Sequence, residues 1–347
     1  MACGRSRFVE VNGLRLHVME WGEAGRPLVL LLHSLAAHGH WWDWVAPLWA
    51  DRFHVLALDF RGHGQSQWAG SYTFEDYAAD VARLLVETRG EAVVVGHSMG
   101  AYVGATLAAF RPDLVRGLVI ADMLTGWSEA QAEWARSKAA RPGTRFGSRE
   151  EAGASFRLTP RETRASAERL VHLGEMGVVE RAPGTWEWAY DPKVFLHPPV
   201  DPFPFLPKIG CPALVIRGQE SAVMDRAGWQ AVATAIPQGK FAELRGASHH
   251  LILDDPEGFV ALVDRYLIAH FRPAAEVGFY DVSYALVVAV IPFASTFFTV
   301  MSPRVTRSRG CSSSSARFKP SRCRGPPLVT AGRKRAGEGG NRRKPGR

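Results

Sequence analysis

The sequence predicts an α/β fold with a mostly parallel central sheet and helices on both faces of that sheet. Between residues 28 and 122, continuous apolar runs, which are typical of strands covered on both faces, alternate with helical patterns. The same kind of apolar run returns after residue 205. We therefore expect one domain whose sheet is built from two separated stretches of the chain, residues 1–122 and 206–272.

Local patterns predict the individual elements in chain order. Asn12-Gly13 joins two alternating runs and predicts a tight antiparallel hairpin. Helical spacing from residue 73 to 88 predicts the first long helix, and the proline and acid of residues 255–257 suit the first turn of a closing helix. The predicted parallel strands are residues 27–32, 52–59, 93–95, 115–121, 212–218 and 240–244.

Two stretches depart from this alternation of strands and helices. Residues 123–205 are charged and helical in pattern, which predicts a helical lid inserted over the cleft. Residues 273–347 form a basic tail rich in Ser, Arg, Gly and Pro, for which we expect disorder. Within the tail, residues 284–301 are uncharged and long enough to be weighed as a membrane anchor, but Pro292 makes membrane contact the less favoured interpretation.

The net charge of +8 is concentrated in the tail. Residues 273–347 contain 14 Lys or Arg against 3 Asp or Glu, a local balance of +11, so the remaining residues carry −3. We therefore expect no nucleic-acid partner. The 4 cysteines are widely scattered, which is not typical of a disulfide framework, and the N-terminus lacks the apolar stretch of a secretory signal. These features predict a cytoplasmic protein.

A candidate nucleophile lies at the end of the third predicted parallel strand. Ser98 follows a run of three valines and is flanked by Gly96 and Gly100, which is the spacing of a sharp strand-to-helix turn. Such a turn exposes the serine hydroxyl beside the N–H groups of the next helix, where a developing oxyanion is stabilised. A serine needs a base, and His249, in a Gly-Ala-Ser loop after the last strand, is the best candidate.

With these residues the chain, from about residue 8 to 271, resembles the α/β-hydrolase superfamily. The resemblance implies the α/β-hydrolase fold and a nucleophile, acid, histidine order along the chain. It rests on four motifs, namely Leu32-His33-Ser34, Asp59-Phe60-Arg61-Gly62-His63-Gly64-Gln65-Ser66, Gly96-His97-Ser98-Met99-Gly100, and Gly246-Ala247-Ser248-His249 before Asp255-Pro256-Glu257.

The acid of the triad departs from the commonest family pattern. Many members place an aspartate three residues after the glycine that ends the penultimate strand, where this chain has Ser221. Asp122, at the tip of the strand that follows the nucleophile helix, matches the position that some family esterases use instead. Glu220 is the alternative acid, and Asp225 is a more distant third.

The remaining predicted site residues follow the strand ends. The backbone N–H groups of Met99 and Leu35, or of Ser34, are expected to form the oxyanion hole. Tryptophans after the first loop and in the insertion indicate an apolar or aromatic pocket. The expected pocket residues are His33, Trp41, Trp42, His97 and Trp127, with His33 also supporting its loop by hydrogen bonding.

These residues predict a serine hydrolase that cleaves carboxylic esters or lactones of small, largely apolar molecules. Two alternatives remain, namely hydrolysis of a carbon–carbon bond in ring-cleavage diketones by the same triad, and a non-catalytic protein that binds a small molecule. Epoxide opening and dehalogenation are disfavoured, because those family members have an aspartate at the position of Ser98. No phosphate-binding loop, dinucleotide fingerprint or metal-ligand spacing is present in the sequence, so no cofactor is expected.

Overall fold

A computed structural model describes residues 4–88 and 90–271 of the chain. The predicted tail, 273–347, and its apolar stretch, 284–301, lie outside the described residues. In the part of the chain that is described, none of the helices combines the length and apolar character needed to span a bilayer.

The described residues form eleven strands and nine α-helices. The strands are β1 (Arg5–Val11), β2 (Leu14–Trp21), β3 (Leu28–Leu32), β4 (His54–Leu58), β5 (Ala92–His97), β6 (Val115–Ala121), β7 (Arg145–Phe146), β8 (Val178–Ala182), β9 (Thr185–Trp188), β10 (Ala213–Gly218) and β11 (Gly239–Leu244). The helices are α1 (Ala46–Trp49), α2 (Phe74–Glu87), α3 (Met99–Phe110), α4 (Glu129–Ala140), α5 (Arg149–Ser155), α6 (Ala167–Met176), α7 (Arg226–Ala235), α8 (Leu251–Asp254) and α9 (Pro256–Phe271).

Eight of these strands form the central sheet, in the order β1-β2-β4-β3-β5-β6-β10-β11. The first two pairings are antiparallel, and every pairing from β4 to β11 is parallel. The hairpin between β1 and β2 turns at Asn12 and Gly13, which have φ of 50° and 77°. These positive φ values are those that an Asn-Gly turn adopts with little strain, so the predicted hairpin is confirmed.

Apolar side chains of the sheet pack on both of its faces. Along β3, Leu30 packs against the layer that contains α2, α3 and α7, whereas Leu31 packs against the layer that contains α1, α8 and α9. Successive strand residues point to opposite faces, so a strand between two helical layers must be apolar throughout. The predicted α/β class, with helices on both faces of a mostly parallel sheet, is confirmed.

Residues 123–205 are inserted between β6 and β10, and their secondary structure differs from the predicted one. They contain α4, α5 and α6, but also a second antiparallel sheet in the order β7-β9-β8. The prediction of a purely helical insertion is therefore wrong. The residues on either side of Pro183-Gly184 form a hairpin whose glycine has a φ of 72°. The Pro-Gly turn brings β8 and β9 side by side, so that they pair.

Candidate active site

Ser98 occupies the sharp turn between β5 and α3. Its backbone has φ 54° and ψ −115°, a conformation that is unusual for a residue with a Cβ. Its N–H donates to the carbonyl oxygen of Ala121 on β6 at 2.9 Å, which holds the turn against the neighbouring strand. The side chain remains partly exposed. The turn therefore presents the Ser98 hydroxyl at the carboxyl edge of the sheet.

The two glycines around Ser98 are required by close backbone contacts. A Cβ on Gly96 would lie 2.3 Å from the carbonyl oxygen of Gly100. A Cβ on Gly100 would lie 2.2 Å from the carbonyl oxygen of Leu32, at the end of β3. Both contacts are far shorter than van der Waals separation, and neither can be relieved by rotating a side chain. The spacing of the motif thus lets α3 begin directly against β3 and β5.

His249 and Asp122 meet beneath the same edge of the sheet. The Nδ1 atom of His249 lies 2.8 Å from Oδ1 of Asp122, and both side chains are almost fully buried. A carboxylate oxygen accepts in such a contact, so His249 donates the Nδ1 hydrogen to Asp122. No hydrogen bond joins the Ser98 hydroxyl to His249 among residues 4–88 and 90–271. Such bonds are often long before substrate binds, and we expect this pair to close on binding.

Asp122 receives three hydrogen bonds from the described residues. Besides His249, the Gly218 N–H donates to Oδ2 at 2.9 Å and the Ser221 hydroxyl donates to Oδ1 at 2.6 Å. The Ser221 hydroxyl is the donor in this bond because a carboxylate oxygen accepts, and the Ser221 oxygen itself accepts the Val223 N–H at 3.1 Å. Ser221 was noted in the sequence only as a departure from the family pattern, and its role as a donor to Asp122 was missed.

The structure does not bring the alternative acids to His249. Glu220 is more than half exposed and forms an ion pair with Arg164 at 2.8 Å. Asp225 accepts the Gly228 N–H at 2.6 Å and caps the start of α7. The Glu220 backbone N–H donates to the Ala247 carbonyl oxygen at 2.8 Å, and the Glu220 side chain lies at the surface. Of the three predicted acids, only Asp122 contacts His249.

His97, the residue before Ser98, holds the backbone of the histidine loop. Its Nε2 lies 2.9 Å from the carbonyl oxygen of His249, and its ring is 4.9 Å from the His249 ring between centroids. Burial lowers the pKa of His97 well below its usual range, and the adjacent His249 lowers that pKa further. His97 is therefore neutral and donates through Nε2. This bond ties the nucleophile strand to the loop that carries His249.

Backbone N–H groups of two segments remain candidates for an oxyanion hole because they donate to no other group among the described residues. Met99 begins α3, and the first N–H groups of a helix have no intrahelical acceptor. Within residues 4–88 and 90–271, the Leu35 N–H also donates no hydrogen bond. The Nε2 atom of His33 accepts the Phe60 N–H at 3.1 Å, and its Nδ1 lies 2.7 Å from the Ser34 carbonyl oxygen. Burial lowers the pKa of His33 to about 3, so this neutral imidazole supports the loop as expected.

The predicted pocket residues do not form one surface. His33, Trp42 and His97 are completely buried, so they cannot line an open pocket, and that part of the prediction is wrong. Trp42 instead packs against Phe259 of α9, on the far face of the sheet. The other two predicted tryptophans are Trp41, which is nearly buried against His97, and Trp127, which is partly exposed and lies 4.7 Å from the His197 ring.

Asp254 joins the insertion to the loop of residues 245–250, which carries His249. This contact was not predicted from the sequence. Its carboxylate accepts the Ser248 N–H at 2.8 Å and the Arg164 N–H at 2.7 Å. The Ser248 hydroxyl lies 2.7 Å from the Glu162 carbonyl oxygen and 2.6 Å from Oδ2 of Asp254, and its single hydrogen is shared between these two acceptors. His249 is therefore held by a segment that the insertion itself braces.

Two clusters of metal-ligand side chains occur among the described residues. One consists of His97, His249 and His250. It is accounted for by hydrogen bonds, because His97 contacts the His249 carbonyl oxygen and His250 Nε2 lies 2.9 Å from the Pro160 carbonyl oxygen. The second cluster consists of His40, Asp43 and His172, where α6 meets the loop before α1.

The chain is similar to known hydrolases over about a third to more than two thirds of its length. It is 39% identical to 2-(acetamidomethylene)succinate hydrolase of Mesorhizobium japonicum over 129 residues, which cover 37% of this chain and 45% of that protein. It is 40% identical to lipase LipV of Mycobacterium tuberculosis over 108 residues, 31% of this chain and 41% of that protein. These matches thus span less than half of each relative. A longer match, 27% identical over 249 residues, is to 3-oxoadipate enol-lactonase 2 of Acinetobacter baylyi and covers 70% of this chain and 90% of that protein.

Solved structures show the same fold. The crystal structure of E-2-(acetamidomethylene)succinate hydrolase superposes with a TM-score of 0.66 at 27% identity, covering 76% of this chain and 99% of that chain. The enol-lactonase from Burkholderia xenovorans superposes with a TM-score of 0.59 at 26% identity, covering 75% and 99%. The model of the alpha/beta hydrolase family matches residues 29–262, which include Ser98, Asp122 and His249. The chain belongs to the alpha/beta hydrolase family.

Proposed function

We propose that the protein is a serine hydrolase that cleaves carboxylic esters or lactones of small, largely apolar molecules through an acyl-enzyme. The observation that carries this proposal is the buried contact between His249 and Asp122 at 2.8 Å, at the sheet edge where Ser98 occupies its strained turn. A general base oriented by a buried carboxylate beside a strained serine is the arrangement that activates a hydroxyl at neutral pH.

The proposed reaction proceeds through two tetrahedral intermediates. The Ser98 oxygen attacks the carbonyl carbon while its proton passes to Nε2 of His249, and Asp122 stabilises the imidazolium that forms. The N–H groups of Met99 and Leu35 stabilise the oxyanion. His249 then protonates the leaving group. Water, deprotonated by His249, attacks the acyl-enzyme, and Ser98 recovers its proton as the acid departs.

The residues around the strand ends support an apolar substrate. Leu35, Ala36, Leu124 and Trp127 are partly buried apolar side chains that follow β3 and β6, and each packs against the apolar layer around α3. A substrate that contacts these side chains would bury neutral acyl groups at lower cost than charged ones. The match to an enol-lactonase over 70% of this chain supports including lactones among the candidate substrates.

Labelling with a fluorophosphonate probe tests the nucleophile. We expect the full chain to be labelled at Ser98, and Ser98→Ala to abolish the label. Ser128→Ala, which removes an exposed hydroxyl that caps α4, is the matched control and should leave labelling unchanged. An unlabelled wild-type protein that is folded by circular dichroism would favour a non-catalytic binding protein.

A turnover screen tests the substrate class. We expect neutral p-nitrophenyl esters and lactones to be hydrolysed with higher kcat/KM than diketones or esters that carry a second carboxylate. Selective turnover of ring-cleavage diketones, with the same dependence on Ser98, would replace the proposal with carbon–carbon bond hydrolysis.

A further inference from the structure

Three metal-ligand side chains converge where the insertion lies on the core of the protein. Nδ1 of His40 lies 3.0 Å from Oδ2 of Asp43, and Nε2 of His172 lies 2.8 Å from the same oxygen. All three ligand atoms lie within 4.8 Å of one another. His40 and Asp43 belong to the loop before α1, whereas His172 lies on α6. The cluster therefore joins two segments that are far apart in sequence.

The spacing of these atoms is close to that of a bound transition metal. Ligands of a tetrahedral zinc ion at 2.0–2.2 Å from the metal lie roughly 3.3 Å from one another. The two nitrogen–oxygen distances of 3.0 and 2.8 Å must therefore lengthen by a few tenths of an ångström, and the two ring nitrogens, which lie within 4.8 Å of each other, must come to about the same separation. Two imidazoles and one carboxylate also match the ligand preference of zinc and its neighbours in the first transition row.

Solvent can reach the cluster, and its charge environment is mixed. The exposed fractions of the side chains are 11% for His40, 22% for Asp43 and 38% for His172, so an ion can enter from the His172 side. The guanidinium of Arg169, over the Trp44 ring at 5.6 Å, opposes a cation in this region. The Asp43 carboxylate supplies the compensating negative charge.

We propose that His40 Nδ1, the Asp43 carboxylate and His172 Nε2 bind one divalent transition-metal ion such as Zn²⁺, with water completing a four-coordinate site. Both ring nitrogens now direct a hydrogen at Asp43. On binding, a neutral imidazole moves that hydrogen to its other nitrogen, and an imidazolium releases it to solvent. The ion would cross-link α6 to the core loop. None of the three ligands is Ser98, Asp122 or His249, so this proposal does not depend on the proposed hydrolase activity.

Titration of the metal-free full chain with Co²⁺, followed by displacement with Zn²⁺, tests this proposal. We expect one equivalent of Co²⁺ to give the visible absorption of a four-coordinate ion, and Zn²⁺ to raise the Tm. His172→Gln and Asp43→Asn should each weaken metal binding by at least about 100-fold. Mutating even a residue that only hydrogen-bonds to a metal ligand lowers metal affinity by about 10–100-fold. In these variants Zn²⁺ should no longer raise the Tm.

A matched control uses a histidine–carboxylate pair that has no second imidazole. Nε2 of His54 lies 2.7 Å from Oε1 of Glu20, and His54→Gln should bind the metal like the wild type. Fluorophosphonate labelling of Ser98 should persist with Zn²⁺ bound, which separates this site from the cluster around His249. Absence of saturable binding, or wild-type affinity in His172→Gln, would overturn the proposal.

Discussion

Replacing Gly100 with alanine should displace the first turn of α3 from β3. The added Cβ would lie 2.2 Å from the carbonyl oxygen of Leu32 and 2.7 Å from that of His33, and both atoms are backbone. Ordinary contact begins at 3.4 Å, so the helix and the strand must separate by about 1 Å. The Met99 N–H belongs to the same turn and moves with it.

Gly100→Ala is expected to reduce turnover more than it reduces stability. A misplacement of about 1 Å at a reacting group can reduce the rate by about 100-fold. Overpacking costs about 1–3 kcal/mol of stability, of which up to about 1 kcal/mol is offset because alanine favours helix more than glycine. We therefore expect Gly100→Ala to lower kcat for a p-nitrophenyl ester by about 100-fold and to lower the urea midpoint modestly.

Gly104→Ala is the matched control on the same helix. Its Cβ would meet only side-chain methyl groups, those of Val94 at 3.1 Å and Leu118 at 3.2 Å, which can yield by a few tenths of an ångström. We expect wild-type kcat and a stability within about 1 kcal/mol of the wild type. If Gly100→Ala and Gly104→Ala give the same kcat and the same urea midpoint, then the backbone contacts of Gly100 do not fix the nucleophile turn.

Three further predictions concern the acid and the buried histidines. Asp122→Asn should lower kcat by about 10⁴-fold, whereas Glu220→Gln should change it little; the reverse ranking in steady-state kinetics would contradict the assigned acid. Ser221→Ala removes a donor to a buried carboxylate and should cost about 1.5–3 kcal/mol in urea unfolding at pH 7, and an unchanged midpoint would count against it. The free energy of unfolding should fall as pH drops from about 6.5 towards 4, because the unfolded chain binds protons that the buried histidines of the folded chain exclude. The decrease should reach up to about 1.4 kcal/mol per pH unit for each buried histidine. Constant stability from pH 7 to 5 would contradict this prediction. Burial lowers the pKa to about 3 for His33 and His250, and to about 4 for His38 and His63.

Local patterns were sufficient to predict the sheet and the nucleophile turn. The conformation of Ser98 and the contacts of Gly96 and Gly100 are set by neighbours within a few residues and by two adjacent strands, so a short motif encodes them. The hairpin at Asn12 is equally local. The insertion was predicted less well, because the short strands β8 and β9 depend on a turn within a largely charged segment.

Side-chain directions after the strands could not be predicted from spacing. Trp42 follows the same loop as Leu35, but tertiary packing against Phe259 turns its indole to the opposite face of the sheet. Spacing alone also left Asp122 and Glu220 as competing acids. The acid is determined by which carboxylate accepts hydrogen bonds from Gly218 and Ser221. That depends on the packing of three strands that are distant in sequence, so spacing along the chain does not reveal it.

The bonds between the insertion and the histidine loop restrict how the active site can open. Glu162 and Arg164, in the middle of the insertion, are bonded to Ser248 and Asp254, which flank His249 in sequence. A displacement of this part of the insertion would therefore either break these bonds or move the loop that carries His249. A substrate path that leaves these bonds intact would not displace the His249 imidazole.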